Sequence, residues 1–393
     1  MKSIIFPLLA LSLSCSKSKS NSGTTPQVSV GDLTAAEGNG GQSSFALPLT
    51  LSAASSKTVV VRFATIEGTA KAGDDFVAVS DGSVSFAPGE TAKSIPILVK
   101  ADDLREGEEQ FTVQITSASE ASLGRIMGTV TITNDDTRVP VATTGYEAPA
   151  TYAGYTLAWS DEFNGPSLDV SKWSHQNGDG CPSLCGWGNN ELETYTDRPE
   201  NLFFQDGKLI IEARKENLNG RAYTSSKILT SGKKTFRFGR IDVRAQLPKG
   251  KGIWPAFWLL PQDNVYGGWP RSGEIDLMEM VGHEPAKVYG TLHFGPGPGS
   301  TQISRGYTLS SGSFNDAFHV FSVEWQQDQL KFYVDNQLYS TVNRSDLGSA
   351  TYPFNEAFYL IFNLAVGGNW PGNPDATTSF PQWLIVDYVR VFQ

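Results

Sequence analysis

The chain has 393 residues and a formal net charge of −10, with 39% apolar and 18% charged residues. That composition belongs to an ordinary folded protein with material for two or three hydrophobic cores. The acidic balance argues against nucleic acid as the main partner and fits an uncharged ligand or acidic loops that hold cations.

Residues 1–15 read MKSIIFPLLALSLSC. One basic residue precedes an apolar run of about eleven, too short for the roughly twenty residues of a bilayer span. The segment reads as an export signal. A cysteine directly after the run resembles a bacterial lipoprotein signal, cut before Cys15 and lipidated there, which would place the protein at the cell envelope. The usual leucine three positions earlier is Ser12, between Leu11 and Leu13. An ordinary signal peptide and full secretion are the alternative. A polar tether then runs to residue 26.

Residues 27–136 contain short alternating runs: VSVGDLTA, SSFALPLTLS, KTVVVRFATI, GSVSFAP, KSIPILVKA, EQFTVQITSA and GTVTITN. Turn-forming residues separate them, and no stretch keeps a helical period. The pattern predicts an all-β sandwich of about seven strands. Acids gather where strands end, in AAEGN, AGDDF, ADDLREGEEQF and TNDD. Taken together, GTAKAGDDF, the DDLREGEEQF stretch and the final NDD resemble a Calx-beta domain. The resemblance implies calcium held by Glu37, Asp75, Asp102, Glu106 and Asp135, and clustered carboxylates suit a hard cation. Solvated loop ends, in a module that only spaces, are the alternative.

Residues 137–154 mix Pro, Ala, Thr and Gly without periodicity and read as a linker. From 155 to 393 a second β-rich unit follows, with strand-like runs that include KLIIEAR, GRIDVRAQL, EIDLMEMV, VYGTLHF, HVFSVEW, LKFYVD, FYLIFNLAV and WLIVDYVRV. Runs of this number suggest a two-sheet jelly roll. Cys181 and Cys185 lie in CPSLC. An oxidising compartment would join them in a small-loop disulfide; a metal site or two free thiols are the other readings.

The chemistry concentrates in GEIDLMEMVG, residues 273–282. Glu274 and Asp276 share a strand face, but Glu279 is out of phase with them. A β-bulge near Leu277–Met278 would add one residue and return Glu279 to the same face. Two glutamates on one wall then suit a retaining glycosidase, whose carboxyls stand about 5–5.5 Å apart. Asp276 between them can hydrogen-bond one glutamate and set its charge, since adjacent like charges push pKa values apart. The intervening Ile275, Leu277, Met278, Met280 and Val281 mark the opposite face as buried. A solvated strand face is therefore a poor reading, and three acids on one strand make poor calcium geometry.

Together with GKGIWPAFWLLP and NLAVGGNWPG, the stretch WPRSGEIDLMEMVG resembles glycoside hydrolase family 16, laminarinase (endo-1,3-β-glucanase) type, over residues 155–393. The resemblance implies a β-jelly-roll with a concave cleft, Glu274 as nucleophile, Glu279 as acid/base and Asp276 as assisting acid. It also implies sugar contacts from Trp254, Trp258, Trp269, Arg271, Trp370, Asn190, Asn363 and His293. A structural calcium is implied at Glu162, the Gly207 carbonyl and Asp387; the alternative there is that Asp387 only caps a turn or pairs with a base such as Arg390. The expected partner is a β-glucan, with membrane attachment only through lipid at Cys15, and the expected state is a monomer. Hydrolysis of mixed-linkage glucan or a marine galactan by the same chemistry, or glucan binding without catalysis, are the other readings.

Overall fold

The computed structural model describes residues 25–297 and 301–393. Cys15, and nearly all of the expected signal and tether, lie outside them. Among the described residues no helix is long and apolar enough to cross a membrane. The described residues divide into two compact units, one of 25–102 and 108–135, the other of 103–107, 136–297 and 301–393.

The first unit is a sandwich of a four-stranded and a five-stranded sheet. The run VSVGDLTA is broken at Gly31–Asp32: Gln27–Val30 pairs with Gly41–Leu51 in one sheet, and Leu33–Ala36 pairs with Met127–Thr133 in the other. One predicted strand thus serves both sheets. A two-residue strand at Ser122–Leu123 completes the four-stranded sheet. Alternation does the sorting elsewhere. In Val59–Ile66, Val59, Val61 and Phe63 are buried while Arg62 is exposed. Phe76 and Phe111 stack with ring centres 3.9 Å apart inside the core.

The second unit is a jelly roll of an eight-stranded and a seven-stranded sheet. Its core includes Ile241, Val243, Phe257, Ile275, Leu277, Phe321, Phe362 and Val389. Trp173 and Trp325 are buried there, and each indole finds a partner: Trp173 donates to Asp161 Oδ2 at 2.9 Å and Trp325 to the Phe354 carbonyl at 2.7 Å. Buried indoles need such acceptors.

Residues 137–154 are not a free spacer but part of the second unit. In the strand Gly239–Gln246, Arg240, Asp242 and Arg244 alternate with core residues, so they point away from the core, yet all three are buried. The 137–154 segment covers them. Tyr152 donates to Asp242 Oδ2 at 2.7 Å and lies against the Arg240 guanidinium, 4.2 Å from its ring centre. Arg244 donates to the Tyr146 carbonyl at 2.8 Å, and Val139 is buried against Ile210, Phe318 and Ile385. Composition alone hid this strap, because it has aromatic anchors but no period.

Candidate active site

One face of the seven-stranded sheet carries a cavity of about 1020 Å³. Glu274, Asp276 and Glu279 line it together. The bulge that unites them is explicit in the pairing. Asp276 opposes Thr291 and Glu279 opposes Tyr289, so three steps on one strand match two on the next. Against the other neighbour, Met278 opposes Phe257 and Asp276 opposes Trp258, leaving Leu277 as the extra residue. Ile275, Leu277 and Met278 fill the core on the far side. Gly273, immediately before Glu274, has φ of 91°, and a Cβ there would stand 2.9 Å from Pro353. Only glycine admits that turn into the strand.

The acids are tightly coupled. Asp276 lies within hydrogen-bonding reach of both glutamates, a contact that needs shared protons because carboxylates alone offer no donor. Burial is the main cause pushing all three pKa values up, Asp276 to about 8 and both glutamates well above the usual range. The charge of Asp276 raises both glutamates further. Trp269 Nε1 donates to Glu274 Oε2 at 2.9 Å, and His293 Nε2 lies 3.6 Å from Glu274 Oε1. Trp254 Nε1 donates to Glu279 Oε1 at 3.1 Å. His293 and one indole thus favour the ionised form of each glutamate, Trp269 at Glu274 and Trp254 at Glu279. The set can hold one carboxylate and one carboxylic acid in a single cleft, the state that double displacement requires.

The tryptophans divide as a sugar cleft requires. Trp254, Trp258, Trp269 and Trp370 line the cavity. Trp254 and Trp370 meet edge to face at 5.5 Å, and Trp370 and Trp269 are 41% and 48% exposed, which leaves apolar rings open to a ligand. Asn363 lines the floor, accepting from Trp258 Nε1 at 2.7 Å and donating to the Tyr195 hydroxyl at 3.0 Å. His293 lines it as well. Two expected contacts fall elsewhere. Asn190 is exposed, donating to Asn369 Oδ1 at 2.7 Å, and its neighbour Asn189 lines the cleft instead. Arg271 is exposed and tied to the Pro296 carbonyl at 2.8 Å.

Other lining residues were missed in the sequence. Lys227 is buried in the floor, its Nζ 4.2 Å from the Trp187 ring centre and 5.0 Å from that of Trp258. Burial pushes its pKa down to about 8 against the opposing pull of Glu191 and Glu193. Glu191 lines the cleft, and Glu193 is fully buried behind it. Their i, i+2 spacing in NNELETY was a legible sign of one shared face; nothing local marked Lys227. Cys181 and Cys185 are joined in a disulfide, and Leu184 inside that loop lines the cleft.

The implied calcium positions behave differently in the two units. Glu162 is held at two points by Arg390, at 2.9 and 2.7 Å. Asp387 lies 2.6 Å from Arg244 and 3.4 Å from Lys208, so it does pair with bases, these two in place of Arg390. Gly207 sits in the turn between Leu202–Gln205 and Lys208–Ala213, with φ of 71°. Calcium takes six to eight oxygens. Here the chain's own cations neutralise both carboxylates, and as arranged the residues do not fit the ion. In the first unit, Gly38 donates to Asp135 Oδ1 at 2.9 Å, Gly41 pairs with Ala101, and the Lys100 amide donates to the Asp75 carbonyl at 2.9 Å. Those links bring Glu37, Asp75, Asp102 and Asp135 to one end of the sandwich, a donor set suited to a hard cation. Glu106 falls in 103–107, which groups with the second unit.

A two-sheet jelly roll with paired carboxyls on a bulged strand, in an aromatic cleft, defines a glycoside-hydrolysing protein. Residues 189–382 match the model of glycosyl hydrolases family 16, and residues 21–136 match the Calx-beta domain. The chain is 44% identical over 260 residues to glucan endo-1,3-beta-glucosidase A1 of Niallia circulans, covering 61% of this chain but only 38% of that relative. It is 41% identical over 252 residues to a beta-glucanase of Rhodothermus marinus, covering 61% of this chain and 85% of the relative. The laminarinase catalytic domain of Thermotoga maritima superposes with a TM-score of 0.58 at 45% identity, over 61% of this chain and 98% of that one. The chain belongs to glycosyl hydrolases family 16 and carries a Calx-beta domain ahead of its catalytic jelly roll.

Proposed function

We infer that the protein is a retaining endo-1,3-β-glucanase that cuts laminarin-like glucan by double displacement. The observation that carries this reading is the bulge at Leu277, which sets Glu274 and Glu279 into one cleft. Glu274, oriented by the Trp269 indole, attacks the anomeric carbon and forms a glycosyl ester. Glu279 protonates the departing oxygen, then takes a proton from the water that hydrolyses the ester. Asp276 exchanges protons with both and keeps their charges unequal. Trp254, Trp258 and Trp370 offer ring faces to the sugar C–H surfaces, and Asn363 and Lys227 offer polar atoms from the floor. The cleft's basic content is small, which supports a neutral glucan over a sulfated galactan.

Proton NMR of the first sugars released from laminarin tests the stereochemistry. The β-anomer signal is expected first; an initial α-anomer signal would contradict double displacement. Parallel digests of laminarin, lichenan and agarose, read as reducing ends, separate the 1,3-glucan reading from the mixed-linkage and galactan ones.

Two further parts of the reading rest on sequence. The acids at one end of the first unit support calcium binding there, as a structural cation. The cysteine after the apolar run supports an exported lipoprotein held at the envelope through Cys15. Mass spectrometry of the mature amino terminus checks the second: a diacylglycerol adduct on Cys15 is expected, and an unmodified chain cut elsewhere would refute it.

A further inference from the structure

Double displacement leaves His293 without a direct part. His293 pairs directly opposite Glu274 across adjacent strands. Its Nε2 lies 3.2 Å from Asp276 Oδ2 and 3.6 Å from Glu274 Oε1. Asp276 is 2% exposed, and its Oδ2 is buried and takes no hydrogen bond. An acceptor oxygen is thus buried facing an imidazole nitrogen, with a second carboxylate oxygen alongside. Donor-type atoms of these three residues all fall within 4.8 Å of one another.

The spacings select a class of ligand. Four donors about 2.0–2.1 Å from a tetrahedral ion stand about 3.3–3.4 Å from one another. The two measured edges, 3.2 and 3.6 Å, bracket that value. An octahedral magnesium ion needs edges of about 2.9 Å, and calcium needs six to eight oxygens. One imidazole nitrogen with two carboxylate oxygens, and a remaining position toward an open cavity, is the donor set of a zinc-class ion.

We propose that Glu274, Asp276 and His293 form a binding site for one divalent transition-metal ion of the zinc class, and that its occupancy switches hydrolysis off. The ion engages the Glu274 carboxylate, so the oxygen that would attack the anomeric carbon is committed to the metal. Its fourth position lies in the cavity, open to water or a sugar hydroxyl. Because all three ligands sit on two paired strands, binding needs no backbone movement. Substrate and ion compete for the same carboxylate. The proposal rests on the geometry of these three side chains and not on which glucan is cut.

The test is calorimetric titration of the metal-free full chain with zinc chloride alone at neutral pH. One equivalent is expected to bind at the site. H293A and D276N are each expected to weaken that binding at least tenfold, while H283A, which alters an exposed histidine, leaves it unchanged. Should H293A fold poorly by thermal melting, H293Q carries the same comparison. Zinc is also expected to inhibit hydrolysis of whichever glucan the wild type cuts, reversibly by chelator, with an inhibition constant matching the calorimetric Kd. Absence of a one-equivalent event in the wild type, or undiminished binding in a folded His293 variant, overturns the proposal. If metal binds as described while laminarin is not hydrolysed, the substrate reading fails and the metal site stands.

Discussion

Asp276 and Glu279 stand three positions apart on one strand but oppose Thr291 and Tyr289, two positions apart on the next. The extra residue places three ionisable side chains in one cleft while Ile275, Leu277 and Met278 stay in the core. Much of the protein's behaviour follows from the crowding of those acids.

The first consequence is in the pH profile. Burial, then the charge of Asp276, raises the Glu274 and Glu279 pKa values. The proposed double displacement needs Glu274 ionised and Glu279 protonated, so the acid limb of kcat/KM is expected well above the usual glutamate value of about 4.3. D276N removes the like charge while roughly keeping the shape. Both limbs of its profile should move to lower pH, with kcat reduced about 10²-fold. Limbs that stay in place would show that Asp276 does not set the charges of its neighbours.

Crowding also costs stability. A carboxyl whose folded pKa is raised binds more protons when folded than when unfolded. Its contribution is therefore most favourable below the unfolded value of about 4.3 and declines as pH rises toward the folded value. E274Q lifts that penalty at neutral pH. Its melting temperature should exceed the wild type's by about 2–4 °C at pH 7.5, for a gain of about 1 kcal/mol. The gap should close near pH 4. Equal melting at both pH values would mean that the cleft stores no such cost.

The cleft floor gives a prediction about binding. Asn363 and Lys227 contribute polar atoms without touching the two reacting glutamates, through Trp258, Tyr195 and Trp187. N363A and K227M are each expected to raise KM for laminarin about tenfold or more, for the loss of about 1.5 kcal/mol per polar contact. A loss confined to kcat would place these residues in the chemistry instead.

Calcium is expected to act on the first unit and not on the Glu162–Asp387 region, whose carboxylates already have Arg390, Arg244 and Lys208 as partners. Titration of the full chain with calcium chloride should give heat that D135N removes and D387N leaves intact. Heat abolished only by D387N would reverse this assignment.

The sequence made the catalytic strand legible because its defect is local. Three acids among apolar residues, one out of phase, require a bulge, and the folded strand has it at Leu277. Trp254 and Trp258, four apart on one strand, were legible for the same reason of period. Lys227 was not, since its aromatic neighbours Trp187 and Trp258 come from distant segments. The cleft contact expected of Asn190 falls to Asn189, because backbone at positive φ (58°) turns Asn190 outward and leaves Asn189 to face the cleft. The 137–154 strap reads as a linker in sequence because Tyr146 and Tyr152 are isolated anchors, and only the buried row Arg240, Asp242 and Arg244 explains what they cover. The jelly-roll strands themselves followed from plain alternation, and the run VSVGDLTA split only because Gly31–Asp32 lets it cross between sheets.

The most direct measurement is covalent trapping with a 2-deoxy-2-fluoro-β-laminaribioside carrying a good leaving group, followed by peptide mass spectrometry. The slowed second step should leave one fluoroglycosyl ester, on Glu274. A label on Glu279 or Asp276, or turnover of the natural substrate with no trapped ester at all, would contradict the assignment of Glu274 as the attacking group.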